Sequence, residues 1–143
     1  MSRVVKFRAW HFELKKMFSA KEMTDDQMAL LPDGYFSNIH SSSTKLSQIY
    51  SHYEMLPLQY TGLHDKNGKE IYEGDIVVSW NNKDLSLKDI LHSFGAYKIF
   101  WSDEFSGWCS EGTKYGINAF YKEHGLKMEV IGNIYENPEL LKS

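Results

Sequence analysis

Residues 59–77 read Gln59-Tyr60-Thr61-Gly62-Leu63-His64-Asp65-Lys66-Asn67-Gly68-Lys69-Glu70-Ile71-Tyr72-Glu73-Gly74-Asp75-Ile76-Val77. Two short β-like runs flank Asp65-Lys66-Asn67-Gly68, a turn in which Gly68 supplies the positive φ that a tight reversal needs. A second turn, Glu73-Gly74-Asp75, opens the apolar strand that follows. Gly62, Gly68 and Gly74 lie six residues apart, a punctuation suited to a meander of short antiparallel strands in a small barrel. Tyr60 and Tyr72 stand on opposite arms of the first turn and are expected to pair across strands, a contact that contributes roughly 0.2–1 kcal/mol. The Asp75 carboxylate is expected to accept backbone N–H groups of its turn.

Composition agrees with a β-rich reading. Aromatic residues make up 15% of the 143, so the core is expected to be built on flat rings that suit a pleated surface. A single domain of this length buries roughly 68–70% of its unfolded surface and needs no staples. Cys109 is the only cysteine, which excludes an internal disulfide. No apolar run approaches the ~20 residues needed to span a bilayer, and no secretory leader is visible, so a soluble cytoplasmic protein is expected. The net charge of −3 argues against a general coating of nucleic acid.

Outward from the central stretch, Val4 to Trp10 alternates large and charged residues and reads as a strand. His11 to Lys16 reads as a turn. Arg8, placed before Trp10 in that strand, is expected to be partly buried against Asp75 or Glu73. Thr24-Asp25-Asp26-Gln27 has the spacing of a capping box and predicts a short helix through Leu31, stopped at Pro32-Asp33-Gly34. Residues 20–53, with the Ser41-Ser42-Ser43-Thr44 run, read as an excursion from the domain. Ile76 to Trp80 predicts a strand, Ser86 to Phe94 a helix capped by Ser86 and Asp89, and Tyr97–Ser102 with Gly107–Glu111 a hairpin. Tyr115 to His124 fits helix or loop. Lys127 to Tyr135 predicts a strand, and Asn137-Pro138 the cap and first residue of a terminal helical turn.

Four blocks in this order carry a family resemblance: Lys6-Phe7-Arg8-Ala9-Trp10; Gln59-Tyr60-Thr61-Gly62-Leu63 with Asp65 and Asn67-Gly68; Ile71-Tyr72-Glu73-Gly74-Asp75-Ile76-Val77; and Ile131-Gly132-Asn133-Ile134-Tyr135-Glu136-Asn137-Pro138. The chain resembles the YopX-like proteins of bacteriophages and prophages from Arg3 to Leu141, most weakly over about 20–53 and 80–127. The resemblance implies a mainly β fold, an SH3-like or related small barrel of short antiparallel strands with a few short helices, as one domain over residues 1–143. It implies no activity, cofactor or catalytic residue.

Site chemistry is sparse in the sequence. Asp65, Glu73 and Asp75 do not follow the calcium-loop spacing and are expected to cap turns and pair with cations. None of the six histidines forms a metal-ligand pair, and one cysteine cannot build a zinc knuckle, so no metal or cofactor is expected. Cys109, after Trp108 in a hairpin arm, is expected to be a small buried residue. Phosphate-loop patterns are absent. Residues 1–21 hold Arg3, Lys6, Arg8, Lys15, Lys16 and Lys21 among Phe7, Trp10, Phe12 and Phe18. Two functions follow as expectations. The first is a non-catalytic phage accessory protein that binds a phage or host protein or assembles with itself. The second is nucleic-acid binding, with Lys6, Arg8, Lys15 and Lys16 on phosphates and Trp10 or Phe12 stacked on bases.

Overall fold

The computed structural model describes residues 3–39, 46–80, 84–112, 117–119 and 127–142. Strand accounts for 47% and helix for 15%, so the protein is mainly β, with curled antiparallel sheets, as composition and turn spacing indicate. The chain packs as two compact units: Val4–Gln59, and Tyr60–Ser143 together with Met1–Arg3.

In Val4–Gln59, strand β1 (Phe7–His11) pairs antiparallel with β2 (Lys16–Phe18) on one side. On its other side it pairs with the first half of β6 (Met55–His64), Phe7 opposite Gln59 and His11 opposite Met55. The intervening turn places Lys15 at φ +49. Helix α1 (Ala20–Asp25) then leads into a three-stranded antiparallel sheet of β3 (Met28–Leu30), β4 (Phe36–Ile39) and β5 (Leu46–Tyr50). Ala9, Met23, Phe36 and Met55 form the core, with Phe7, Phe18, Met28, Leu30 and Tyr50 packed around it. Residues 20–53, expected as an excursion, thus supply Met23 and Phe36 to this core. Ser41–Thr44 lies outside the described residues.

The capping box is not where the sequence reading put it. Ser19, in extended backbone, accepts from the Glu22 N–H at 3.1 Å, and Glu22 Oε1 accepts from the Ser19 N–H at 3.3 Å. Thr24 lies inside the helix and donates its hydroxyl to the Ala20 carbonyl at 2.9 Å. Gln27 turns to φ +58, and Met28–Leu30 extends to pair with Leu30 opposite Phe36. Both segments match the local box pattern. The ladder to β4 and the packing of Met28 and Leu30 beside Phe36 select the earlier one, so the expected helix through Leu31 is a strand.

In Tyr60–Ser143 the second half of β6 pairs with β7 (Glu70–Tyr72). A five-stranded antiparallel sheet follows in the order β11 (Ile117–Ala119), β10 (Gly107–Gly112), β9 (Tyr97–Ser102), β8 (Asp75–Ser79), β12 (Met128–Asn133). Both faces of β8 are covered, which is why Asp75 to Val78 are all buried. Val77 packs with Ile71, Ile99 and Met128 on one face. Ile76 and Val78 pack with Ile90 and Ala96 on the other. Helix α2 (Leu87–Ser93) carries the expected Ser86–Asp89 box, and β9–β10 is the expected hairpin. Pro138 opens a 3₁₀ turn (Pro138–Leu141), but the Asn137 side chain does not cap it. Its Oδ1 instead accepts from the Asn133 N–H at 3.3 Å. Of the ambiguous stretch 115–124, only Ile117–Ala119 is described, as strand. Among the described residues no helix is long and apolar enough to cross a membrane.

Candidate functional site

The central motif is a set of fastenings. Asp65 is buried, and its carboxylate is occupied on both oxygens. Oδ1 accepts from the N–H groups of Asn67 at 2.8 Å and Lys69 at 2.9 Å, and Oδ2 from that of Val130 at 3.0 Å. Gly68, at φ +82, donates its N–H to the Asp65 carbonyl at 3.0 Å and closes the turn. The Asn67 amide reaches Glu129 at 3.3 Å. Glu129 also accepts the Trp80 indole N–H at 2.6 Å and lies 3.7 Å from the Lys66 ammonium, which sits 3.8 Å from the Trp80 ring centroid. One turn is thereby tied to β12.

Thr61 and Gly62 form a bulge, where the β6–β7 register shifts between Tyr60 and His64. The Thr61 hydroxyl donates to the Ile71 carbonyl at 2.7 Å and accepts from the Leu63 N–H at 3.2 Å. Tyr60 and Tyr72 pair across the strands as expected, ring centroids 5.5 Å apart. Asp75, also as expected, accepts the Tyr72 N–H at 2.8 Å. Gly74 bridges Ile99 and Ile134 through its own N–H and carbonyl, and a Cβ there would stand 3.1 Å from the Tyr135 ring. Gly132 is required by crowding, since a Cβ would meet Asn137 Oδ1 at 2.5 Å. Asn133 Oδ1 accepts from the N–H groups of Tyr135 and Glu136. The Asp65 and Asp75 carboxylates therefore hold backbone, which is structural chemistry. Arg8 is half-buried in β1.

A cavity of about 470 Å³ opens within Val4–Gln59. Its most buried lining residue, Met55, is 3% exposed. His11, Phe18, Met28, Asn38 and Tyr50 are half-buried in its walls, and Leu14, Asp26 and Gln27 are exposed at its mouth. The His11 ring lies 6.1 Å from that of Phe18 and 6.3 Å from that of Tyr50. His11 Nδ1 accepts the Leu14 N–H at 3.2 Å, which puts the ring proton of the neutral form on Nε2. Asn38 Nδ2 donates to the Tyr50 hydroxyl at 2.9 Å, leaving the tyrosine proton free to donate. Gln27, at φ +58, holds a left-handed backbone that a non-glycine residue seldom adopts, and it does so at the cavity mouth. Of these nine residues, the sequence singles out His11 among the histidines, Phe18 in the basic aromatic segment, and Asp26 and Gln27 in a capping pattern, none of them as part of a cavity. They come from eight successive segments, and no local pattern joins them.

The basic N-terminal residues differ in burial and pairing. Trp10 is 6% exposed and packed inside, whereas Phe12 is 40% exposed. Lys16 pairs with Glu22 at 2.9 Å and lies over the Phe18 ring, and Lys21 pairs with Asp25 at 2.6 Å. The Lys16 hydrogen bond, aided by the Ser19 N–H, holds the Glu22 carboxyl below its ordinary pKa. Lys15 is exposed, and Lys6 is half-buried. Cys109 is fully buried in β10.

These features define a mainly β protein whose signature turns serve its architecture. The chain belongs to the YopX protein family, whose model matches residues 6–142. Among solved structures it is similar to protein EF1440 from Enterococcus faecalis, at 26% identity and a TM-score of 0.64, over 99% of this chain and 100% of that one. It is similar in fold to protein yopX from Bacillus subtilis, at 21% identity and a TM-score of 0.62, again over 99% and 100%. No curated protein matches it.

Proposed function

We propose that this chain is a non-catalytic accessory protein of a bacteriophage or prophage, working in the host cytoplasm by binding another protein. The curled sheet of Tyr60–Ser143 acts in this reading as an SH3-like scaffold. One observation carries the proposal: the buried Asp65 carboxylate is occupied on both oxygens by backbone N–H groups, while hydrogen-bonding side chains with capacity to spare line the open cavity of Val4–Gln59. A buried acid saturated by amides is a poor proton carrier, and a half-open amphipathic cavity is a recognition feature.

The test begins with affinity capture from prophage-induced host cells. It is completed by reconstitution of the complex from purified components. A stoichiometric complex, with a dissociation constant set by calorimetry, is the expected result. Fluorescence anisotropy with labelled DNA and RNA across a salt series checks the nucleic-acid reading. Flat anisotropy at low salt is expected, given the neutralised Lys16 and Lys21. Salt-dependent binding abolished by Lys15→Glu, with no protein complex formed, would replace this proposal.

A further inference from the structure

Resting on the protein-binding reading above, we infer that the cavity of Val4–Gln59 takes an aromatic side chain of the partner polypeptide, with a lysine or arginine beside it in the partner's sequence facing Asp26. Exposure sorts the chemistry of the lining. Met55 is buried, Phe18, Met28, His11 and Tyr50 are half-buried, and polar Asp26 and Gln27 are exposed to solvent. A side chain entering from solvent would bring its tip to the methionines and leave its main chain near the polar residues. That order suits a ring at the tip. A lysine inserted head-first would instead set its ammonium against the Met55 thioether, without the desolvation cost being met. Ring edges and faces already tilted around the space provide the edge-to-face contacts that aromatic groups prefer, and methionines adapt to the shape that enters.

The volume of about 470 Å³ falls in the range of small-ligand sites and exceeds one ring, leaving room for the adjoining main chain. His11 Nε2–H and the Tyr50 O–H are donors with no acceptor among the described residues, and a peptide carbonyl fits both.

Charge selects the neighbour of that ring. Of three carboxylates along α1 and its C-cap, two are neutralised, Glu22 by Lys16 and Asp25 by Lys21. Asp26, which lines the cavity, has no cation or donor on its carboxylate among the described residues. The mouth therefore favours a positive group. The same feature disfavours a nucleotide, whose phosphate would meet Asp26 instead of the paired lysines.

The experiment uses the full chain with methyl-labelled methionine and two N-acetylated, C-amidated peptides, Ala-Phe-Lys-Ala and Ala-Phe-Glu-Ala, with adenosine monophosphate as a third ligand. A peptide with one anchoring ring is expected to bind with a dissociation constant on the order of 1 mM, shifting the Met28 and Met55 methyl signals and not that of Met128. The lysine peptide should bind about fivefold to tenfold more tightly than the glutamate peptide, and Asp26→Lys should reverse that order. Leu14→Asp, an exposed change at the mouth, should abolish the shifts while the melting temperature holds. Unmoved methionine signals at about ten times the expected constant, or tighter binding of the nucleotide, would overturn the assignment. If the reconstituted partner binds the Leu14→Asp protein as well as the parent, the cavity assignment fails and the protein-binding reading stands. Failure of every protein complex would sink that reading instead.

Discussion

Tyr60–Ser143 and Val4–Gln59 hold themselves together by different means. In the first, polar side chains and glycines discipline the backbone: Asp65, Thr61, Asp75 and Asn133 each accept N–H groups, and Gly62, Gly68 and Gly74 take positive φ. Its strand β8 is packed on both faces. In the second, one cluster around Ala9, Met23, Phe36 and Met55 carries the packing, and a cavity remains open beside it. The difference teaches where each kind of residue belongs. Residues that saturate buried backbone leave no chemistry for a ligand, whereas half-buried rings around a cavity have surface to offer.

The largest effect that tests this contrast is expected at Asp65. Asp65→Ala leaves three N–H groups, on Asn67, Lys69 and Val130, without their acceptor, and should destabilise by about 3–5 kcal/mol. Denaturant unfolding measures the loss, and hydrogen exchange at the Val130 amide locates it. A change under about 1 kcal/mol would mean that water replaces the carboxylate freely and that the fastening is incidental.

A smaller effect separates backbone strain from crowding. A Cβ at Gly68 would meet nothing within 4 Å, so Gly68→Val should cost only the left-handed backbone of a β-branched residue, about 2 kcal/mol. At Gly132 the obstacle is the Asn137 side chain, so Gly132→Ala should be relieved in part by Asn137→Ala. Thermal melts of these variants check both. Relief of the Gly68 variant by a neighbouring truncation would contradict the strain account.

The smallest effect concerns Val4–Gln59. Ser19→Ala should cost about 1 kcal/mol by removing the α1 cap, while Thr24→Ala, which loses only a hydroxyl bond back along the helix, should be near neutral. The reverse order in urea unfolding would restore the cap first expected at Thr24.

What the sequence disclosed follows the same division. The turn at Asp65–Gly68, the Asp75 contact, the Tyr60–Tyr72 pair, the Ser86 cap and the β9–β10 hairpin are local chemistry, and a local pattern reveals them. The bond from Asp65 to Val130 spans 65 residues and had no local sign. The choice between Ser19 and Thr24 as cap was settled by strand pairing of Met28–Leu30, which no cap pattern encodes. Burial of Trp10 was legible only as one of two choices: alternation offers a Phe7 face and a Trp10 face but not which of them meets a core. The cavity was illegible because it is assembled from residues between His11 and Met55 that share no spacing.

The most direct measurement of the central claim, that the motif holds the fold while Val4–Gln59 binds, compares two variants in one pair of assays. Asp65→Asn keeps the carbonyl oxygen for the turn and loses the Val130 acceptor, and Leu14→Asp alters only the cavity mouth. Each is melted, then titrated calorimetrically with the reconstituted partner at a temperature where both are folded. The account predicts a lower melting temperature with unchanged affinity for Asp65→Asn, and an unchanged melting temperature with lost affinity for Leu14→Asp. A folded Asp65→Asn protein that no longer binds, beside a Leu14→Asp protein that does, would contradict it.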